Sequence, residues 1–448
     1  MSLRRPAERQ EPIISDDRSR RALLSGVSLS LNRLLGIVIS LLLVPLVART
    51  LSAEAFGVWL LISSLGGLLG FLDFGVSNGL VSRVAVSTAE GNLDGVSRLM
   101  SSAWSILLRL ATALFVVSTA LVLVVDWRGV FGVSDDISRA SMTAALLIFV
   151  TAFSANLPLG LAPRVQQGLQ QSHQLGVWSA IGGILSLTAG VFGAVRGAGL
   201  PWFVFVSVSA PMVANVLSTT VLLWKRRELR PRRSLVDPTS KRVLINSGWL
   251  FFVLSLAGAV GYQSDSIIIS SRLGAAEVPN YAVPMRMFML APVFVGLFVS
   301  PLWAAYADAA ARRDWAWVRR VFRRSLLLSF AATSLSGAVL LVAGPWILDL
   351  WVGDAVEVST GVLLAMALVA VIHGVSGPPA MLLNGMNVVG FQAVTALAMA
   401  VLNIGLSLLL VDELGVAGPV LATAFSQAVC ILVPSAIYLR QRFFRNLG

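Results

Sequence analysis

Apolar residues along this chain neither alternate nor recur in narrow stripes. They come in nearly unbroken runs of roughly twenty, long enough for a helix to cross a bilayer. The runs predict spans at 22–48, 57–81, 102–125, 140–163, 175–195 and 201–224. A second series follows at 243–271, 280–306, 325–343, 360–383, 391–411 and 416–439. The pattern is that of an all-α integral membrane protein with about twelve transmembrane helices.

The longest polar interruption is WKRRELRPRRSLVDPTSKR, residues 224–242, close to the midpoint. Lys225, Arg226, Arg227, Arg230, Arg232, Arg233, Lys241 and Arg242 place it on the cytoplasmic side, because basic loops resist translocation. Alternate loops agree. The loop at 82–101 carries Arg83 and Arg98 and those at 164–174 and 307–324 are net basic, whereas Asp126, Asp135, Asp136, Asp349, Asp354, Glu357, Asp412 and Glu413 fall on the other side. Both termini are therefore expected in the cytoplasm. The expected organisation is a tail at 1–21, an N-lobe at 22–224, a linker at 225–242, a C-lobe at 243–439 and a tail at 440–448.

The halves also match each other. LVARTLSAEAFGVW resembles SSRLGAAEVPNYAV, with Glu54 against Glu277, and the pair Pro158 and Gly176 recurs as Pro378 and Gly390. The copies lie roughly 215 to 225 residues apart and share one orientation, as in parallel transporter repeats. Two pseudo-symmetric six-helix lobes follow, with a substrate cleft between them and transport by rocking.

Composition removes the competing classes. The chain is 56% hydrophobic and 12% charged, about half the charge of a soluble domain, and its mean hydropathy is +0.83. The net charge of +12 is explained by orientation and anionic lipid, so no nucleic-acid partner is expected. The single Cys430 forms no internal disulfide, and the two histidines lack metal-ligating companions. No GxxxxGK[ST] loop is present for ATP.

Charge inside a span costs roughly 2.5–3.5 kcal/mol even on a lenient scale, so such residues are expected to face a cavity. Five stand out: Arg33, Asp73, Arg109, Asp265 and Arg286. The three arginines suit a cationic cleft for an anionic, phosphate-bearing substrate, Arg33 competing with a structural ion pair and the other two with snorkelling. Asp73 is a candidate ion-pair partner of Arg33 or a protonatable coupling site. Asp265 is either wet at the outer end of its span or a proton carrier. Asn156, Gln263 and His373 are uncharged cleft candidates, with helix packing the plainer role for the histidine.

Three stretches carry a family resemblance: VPLVARTLSAEAFGVWLLISSL running into LLGFLDFGVSNGLVSR, DSIIISSRLGAAEVPNYAVPMRMF, and SPLWAAYADAAARRDWAWVRRVFRRS. With them the chain resembles the polysaccharide transporters of the MATE-like MOP superfamily, which include O-antigen flippases of the Wzx type. The resemblance implies a flippase, not an enzyme, that carries a polyprenyl-pyrophosphate-linked oligosaccharide across a bacterial inner membrane. It implies two six-helix lobes that open alternately, with a cationic cleft. About twelve spans set the chain apart from fourteen-helix lipid II flippases. No cofactor is expected. A proton or sodium gradient is a candidate drive, a glycan polymerase or other assembly protein a candidate partner, and a monomer the expected state. Two alternatives stay open. A MATE-type multidrug or cation antiporter needs an acidic or apolar cleft, and a glycan polymerase or ligase needs catalytic residues in a large outer loop.

Overall fold

The computed structural model describes residues 34–68, 72–134, 137–169, 171 and 173–444. Among them the secondary structure is helical, with no strand. The first half contains α1 (Leu34–Ala48), α2 (Ala53–Leu68), α3 (Val76–Ala89), α4 (Leu93–Val124), α5 (Arg139–Leu159), α6 (Leu161–Gly168), α7 (His173–Val195) and α8 (Leu200–Lys225). The second contains α9 (Pro238–Leu273), α10 (Val278–Phe288), α11 (Leu290–Val299), α12 (Leu302–Ala311), α13 (Trp315–Val352), α14 (Thr360–Gly385), α15 (Val389–Leu414) and α16 (Ala417–Gln427), which runs on to Phe444. Ten helices among the described residues are long and apolar enough to cross a membrane. The shorter α1 and α2 stand where the first two spans were expected.

Helix length exceeds the apolar runs in two places. The expected loops 82–101 and 307–324 are mostly helical, and the chain reverses in tight turns. One passes through Gly91 (φ 70°) and is closed by Asn92, whose Oδ1 accepts from the Gly95 N–H at 2.8 Å. The other passes through Arg313 (φ 59°) and is closed by Asp314, which accepts from the Trp317 N–H at 3.0 Å. Hydropathy marks membrane thickness. Caps mark where a helix starts, and here they lie beyond the apolar runs.

Several spans are broken; the fourth parts at Gly160, between α5 and α6. The second interrupts at 72–75, where Phe74 (φ 51°) and Gly75 (φ 72°) take left-handed backbone. The eighth is divided into α10, α11 and α12, because Pro292 and Pro301 cannot donate to the carbonyls four residues earlier.

The loops define an acidic end of the bundle and a basic end. The described buried apolar residues form three cores. One, at the acidic end, is shared by both halves: Val47, Phe56, Phe149 and Phe203 join Ile269, Val283, Met366 and Val420. At the basic end there are two cores, one around Leu80, Met100, Leu161 and Leu222, joined by Leu244 of α9, and one around Tyr306, Val318, Leu383 and Leu439. The halves therefore share one core at the acidic end, whereas at the basic end α9 crosses between them. Helix α9 bridges the halves: its first turns pack on α3 and α4, its later ones on α15. Asp237 caps it, accepting from the N–H groups of Thr239 (3.2 Å) and Ser240 (2.8 Å). The hydrogen bonds from Ser240 hold this carboxyl below the usual carboxylate range.

Candidate central cavity

A cavity of about 330 Å³ lies among α1, α2, α7 and α8 of the first half and is completed by Arg286 of α10. Its polar lining is serine: Ser40, Ser63, Ser179, Ser186 and Ser207. Trp59 is its anchor. The indole Nε1–H donates to Ser207 Oγ at 2.8 Å and to the Phe203 carbonyl at 3.2 Å. The Arg286 guanidinium sits 5.8 Å from the centre of that ring, and its Nη1 donates to Ser40 Oγ at 3.4 Å. None of the lining residues is acidic, and among the described residues Arg286 has no ion-pair partner. A part-buried cation held only by a hydroxyl and a ring face retains most of its capacity for an anion.

A second cavity, about 360 Å³, shares Trp59, Ser63, Ser207 and Pro211 with the first. Asn156 lines it, its Oδ1 accepting from Asn215 Nδ2 at 2.9 Å, beside Phe149 and Phe153. Proline at 211 in α8 lets the wall bend where the two cavities meet.

The other expected site residues fall elsewhere. Arg33 lies outside the described residues. Arg109 is not in the central cavity: it is exposed on the flank of α4, in a groove with Trp104, Arg232 and Arg233 of the linker. Asp73 belongs to the break before α3, its Oδ1 accepting from the Gly75 N–H at 2.9 Å. Gln263 packs against Gly67 across the seam between the halves. His373 lies inside the second half, with Nδ1 3.2 Å from Gln427 Nε2 and its ring edge-on to Tyr262.

Asp265 is not wet; it is fully buried. Thr423 (2.7 Å) and Tyr281 (3.1 Å) donate to its Oδ2, and Asn403 (3.1 Å) and Ser407 (3.2 Å) to its Oδ1. Four neutral donors and no cation surround it among the described residues. Such a carboxylate is stabilised by taking up a proton or a small hard cation, and Asn403 Oδ1 with the Ser407 and Thr423 hydroxyls supplies further oxygens. Sequence inspection missed these companions. Asn403 and Ser407, four apart on one helix face, were the one available signal. It also missed Trp59, which reads as an ordinary apolar residue.

Comparison with known proteins gives the family. Residues 23–304 match the model of the polysaccharide biosynthesis protein family. A putative O-antigen transporter of Shigella flexneri is 22% identical over 362 residues, 78% of this chain and 79% of that protein. A probable low-salt glycan biosynthesis flippase of Haloferax volcanii is 22% identical over 408 residues, 90% and 81% of the two chains. Among solved structures, the inward-facing form of a multidrug resistance MATE transporter of the MOP superfamily superposes with a TM-score of 0.78 at 14% identity, covering 94% of this chain and 98% of its own. The fold is thus MATE-like, and the chain belongs to the polysaccharide biosynthesis protein family.

Proposed function

We propose that this protein is a flippase that moves a polyprenyl-(pyro)phosphate-linked oligosaccharide from the cytoplasmic to the outer leaflet for cell-surface polysaccharide assembly. The observation that carries the reading is Arg286, a guanidinium of the second half that completes a serine-lined cavity of the first half and has no ion-pair partner among the described residues. A diphosphate is the headgroup such a site takes, and the hydroxyls suit sugar. The basic end is the proposed loading side, facing the cytoplasm of a bacterial inner membrane, with both termini there. Arg33, one residue before α1, is the proposed second cation. Asp265 is the proposed coupling site: protonation or sodium uptake neutralises the buried charge and alters packing among α9, α15 and α16. The protein acts as a carrier, as a monomer.

In a strain lacking the chromosomal gene, Arg286→Ala is expected to insert normally yet lose surface glycan at least tenfold, with lipid-linked oligosaccharide accumulating on the inner leaflet. Normal surface glycan with that variant would sink the reading. The MATE-type antiporter remains the second reading because the fold is shared, but a cationic cavity repels cationic drugs. Unchanged drug resistance on overexpression separates the two.

A further inference from the structure

Asp265 has no exposed surface, so a proton reaches it only through other groups. One titratable ring nearby has no role in the central cavity. His373 of α14 is half-buried, its Nδ1 3.2 Å from Gln427 Nε2 of α16 and its ring centre 5.5 Å from that of Tyr262 of α9. Two helices tie this cluster to Asp265. Tyr262 stands three residues before Asp265 on α9, and Gln427 stands four after Thr423, which donates to Asp265, on α16. Both spacings keep a helix face, so the cluster lies about 4.5–6 Å along the bundle from the carboxyl. Helix α9 starts at the basic linker and α16 runs toward the basic end, so on both helices the cluster is on the basic-end side of Asp265.

Gln427 is 1% exposed, and its Oε1 has no hydrogen-bond partner among the described residues. Nothing therefore fixes which end of the amide faces the ring. Nε2 donates to a neutral Nδ1, and after a half-turn in the same volume Oε1 accepts from a protonated one. The ring stays hydrogen-bonded in both charge states, and the exchange breaks no other bond. The backbone is irregular here too. A π-helical turn, Ala428–Leu432, begins at the next residue, and Pro378 and Pro379 offer no N–H to the carbonyls of Gly374 and Val375. The elements packed on α14 bring no competing charge to the ring. Helices α11, α13 from 325 to 348 and α15 up to Val411 are uncharged, Arg286 of α10 turns to Ser40, and Asp308 of α12 pairs with Arg312. The titratable neighbours are Tyr262, Asp265, Tyr281, which donates to Asp265, and Cys430, three residues past Gln427.

We infer that His373 is the proton relay of Asp265, and that the coupling ion is a proton. A proton from the basic end adds to the ring, and the imidazolium passes one on toward Asp265. The carboxylate becomes a carboxylic acid and the ring returns to neutral. The ionised Asp265 is the charge that favours the imidazolium, so the relay stops once that carboxyl is filled. The inference rests on the reading of Asp265 as the coupling site.

Rapid-mixing infrared spectroscopy of the purified full chain tests it. After a drop in pH, the carboxylic acid carbonyl band that Asp265→Asn lacks is followed in time. His373→Ala is expected to slow its appearance at least about tenfold, and added imidazole to restore the rate. His373→Gln, which can bond Gln427 but cannot titrate, is expected to be as slow, with melting curves confirming that each variant folds. A wild-type rate in either variant, or slowing in His373→Ala that imidazole leaves unchanged, overturns the relay. A wild-type chain that never shows the band overturns it together with Asp265 as a proton site. Neither result depends on glycan export, so failure of the flippase reading in the Arg286→Ala strain is told apart from failure here.

Discussion

Trp59 and Arg286 form the contact on which the proposed anion binding turns, and each can be removed alone. The Trp59 ring is fixed by its hydrogen bond to Ser207 and supports the guanidinium from one face. Trp59→Phe keeps a ring but loses the anchor, so export is expected to fall severalfold rather than vanish, read as surface glycan per inserted protein. Asp265 separates stability from coupling. Asp265→Ala leaves four buried donors without an acceptor, at about 1–3 kcal/mol for each group left unmade, and a marked drop in melting temperature is expected. Asp265→Asn preserves an acceptor and most of that stability, but holds no exchangeable charge. In vesicles with an imposed proton or sodium gradient, this variant is expected to lose gradient dependence. Retained dependence in Asp265→Asn would remove Asp265 from the coupling path.

Helices α3 and α9 meet through two glycines. A Cβ built on Gly75 would stand 2.1 Å from the Gly248 carbonyl oxygen, and one on Gly248 would stand 2.4 Å from that of Gly75. Backbone against backbone leaves nothing flexible to yield, and the φ of 72° at Gly75 adds strain for any other residue. Gly248→Ala is therefore expected to push α9 away from the first half, lowering both melting temperature and export. Gly405 in α15 is the internal control, because its Cβ would meet open space. Gly405→Ala is expected to be neutral or to stabilise by up to about 1 kcal/mol. Equal effects at the two positions would show that the crossing is not tight.

Under the proposed rocking, the state with a shared core at the acidic end is one of two. Between the halves at that end, Arg49 Nη2 donates to the Leu350 carbonyl at 3.4 Å, and Trp351 Nε1 donates to the Leu41 carbonyl at 2.9 Å. Rocking to the opposite state must break these bonds and part the core. The single native thiol permits a clean test in a Cys430→Ser background. Bridging Arg49→Cys and Leu350→Cys with a cleavable bis-thiol reagent is expected to stop export, and cleavage of the bridge to restore it. Unimpaired export with the bridge intact would rule out rocking about this contact.

Burial of apolar runs and exclusion of arginine from translocated loops are local properties, so residues 34–444 could be read for most of their spans and for their two-ended charge. The polar positions at 265 and 286 stood out for the same reason: a charge in such a run is costly wherever the helix packs. Rotation of each helix about its axis was another matter. A segment that is apolar on every side carries no phase, so the exposure of Arg109 on a flank and the burial of Asp265 followed from neighbours rather than from the runs containing them. The partners of Asp265 come from α10, α15 and α16, up to 158 residues away, and Trp59 becomes a cation platform only because α10 lies against α2. The core at the acidic end is likewise shared by residues from both halves. That contact is made by packing alone, with no signature in the order of the amino acids.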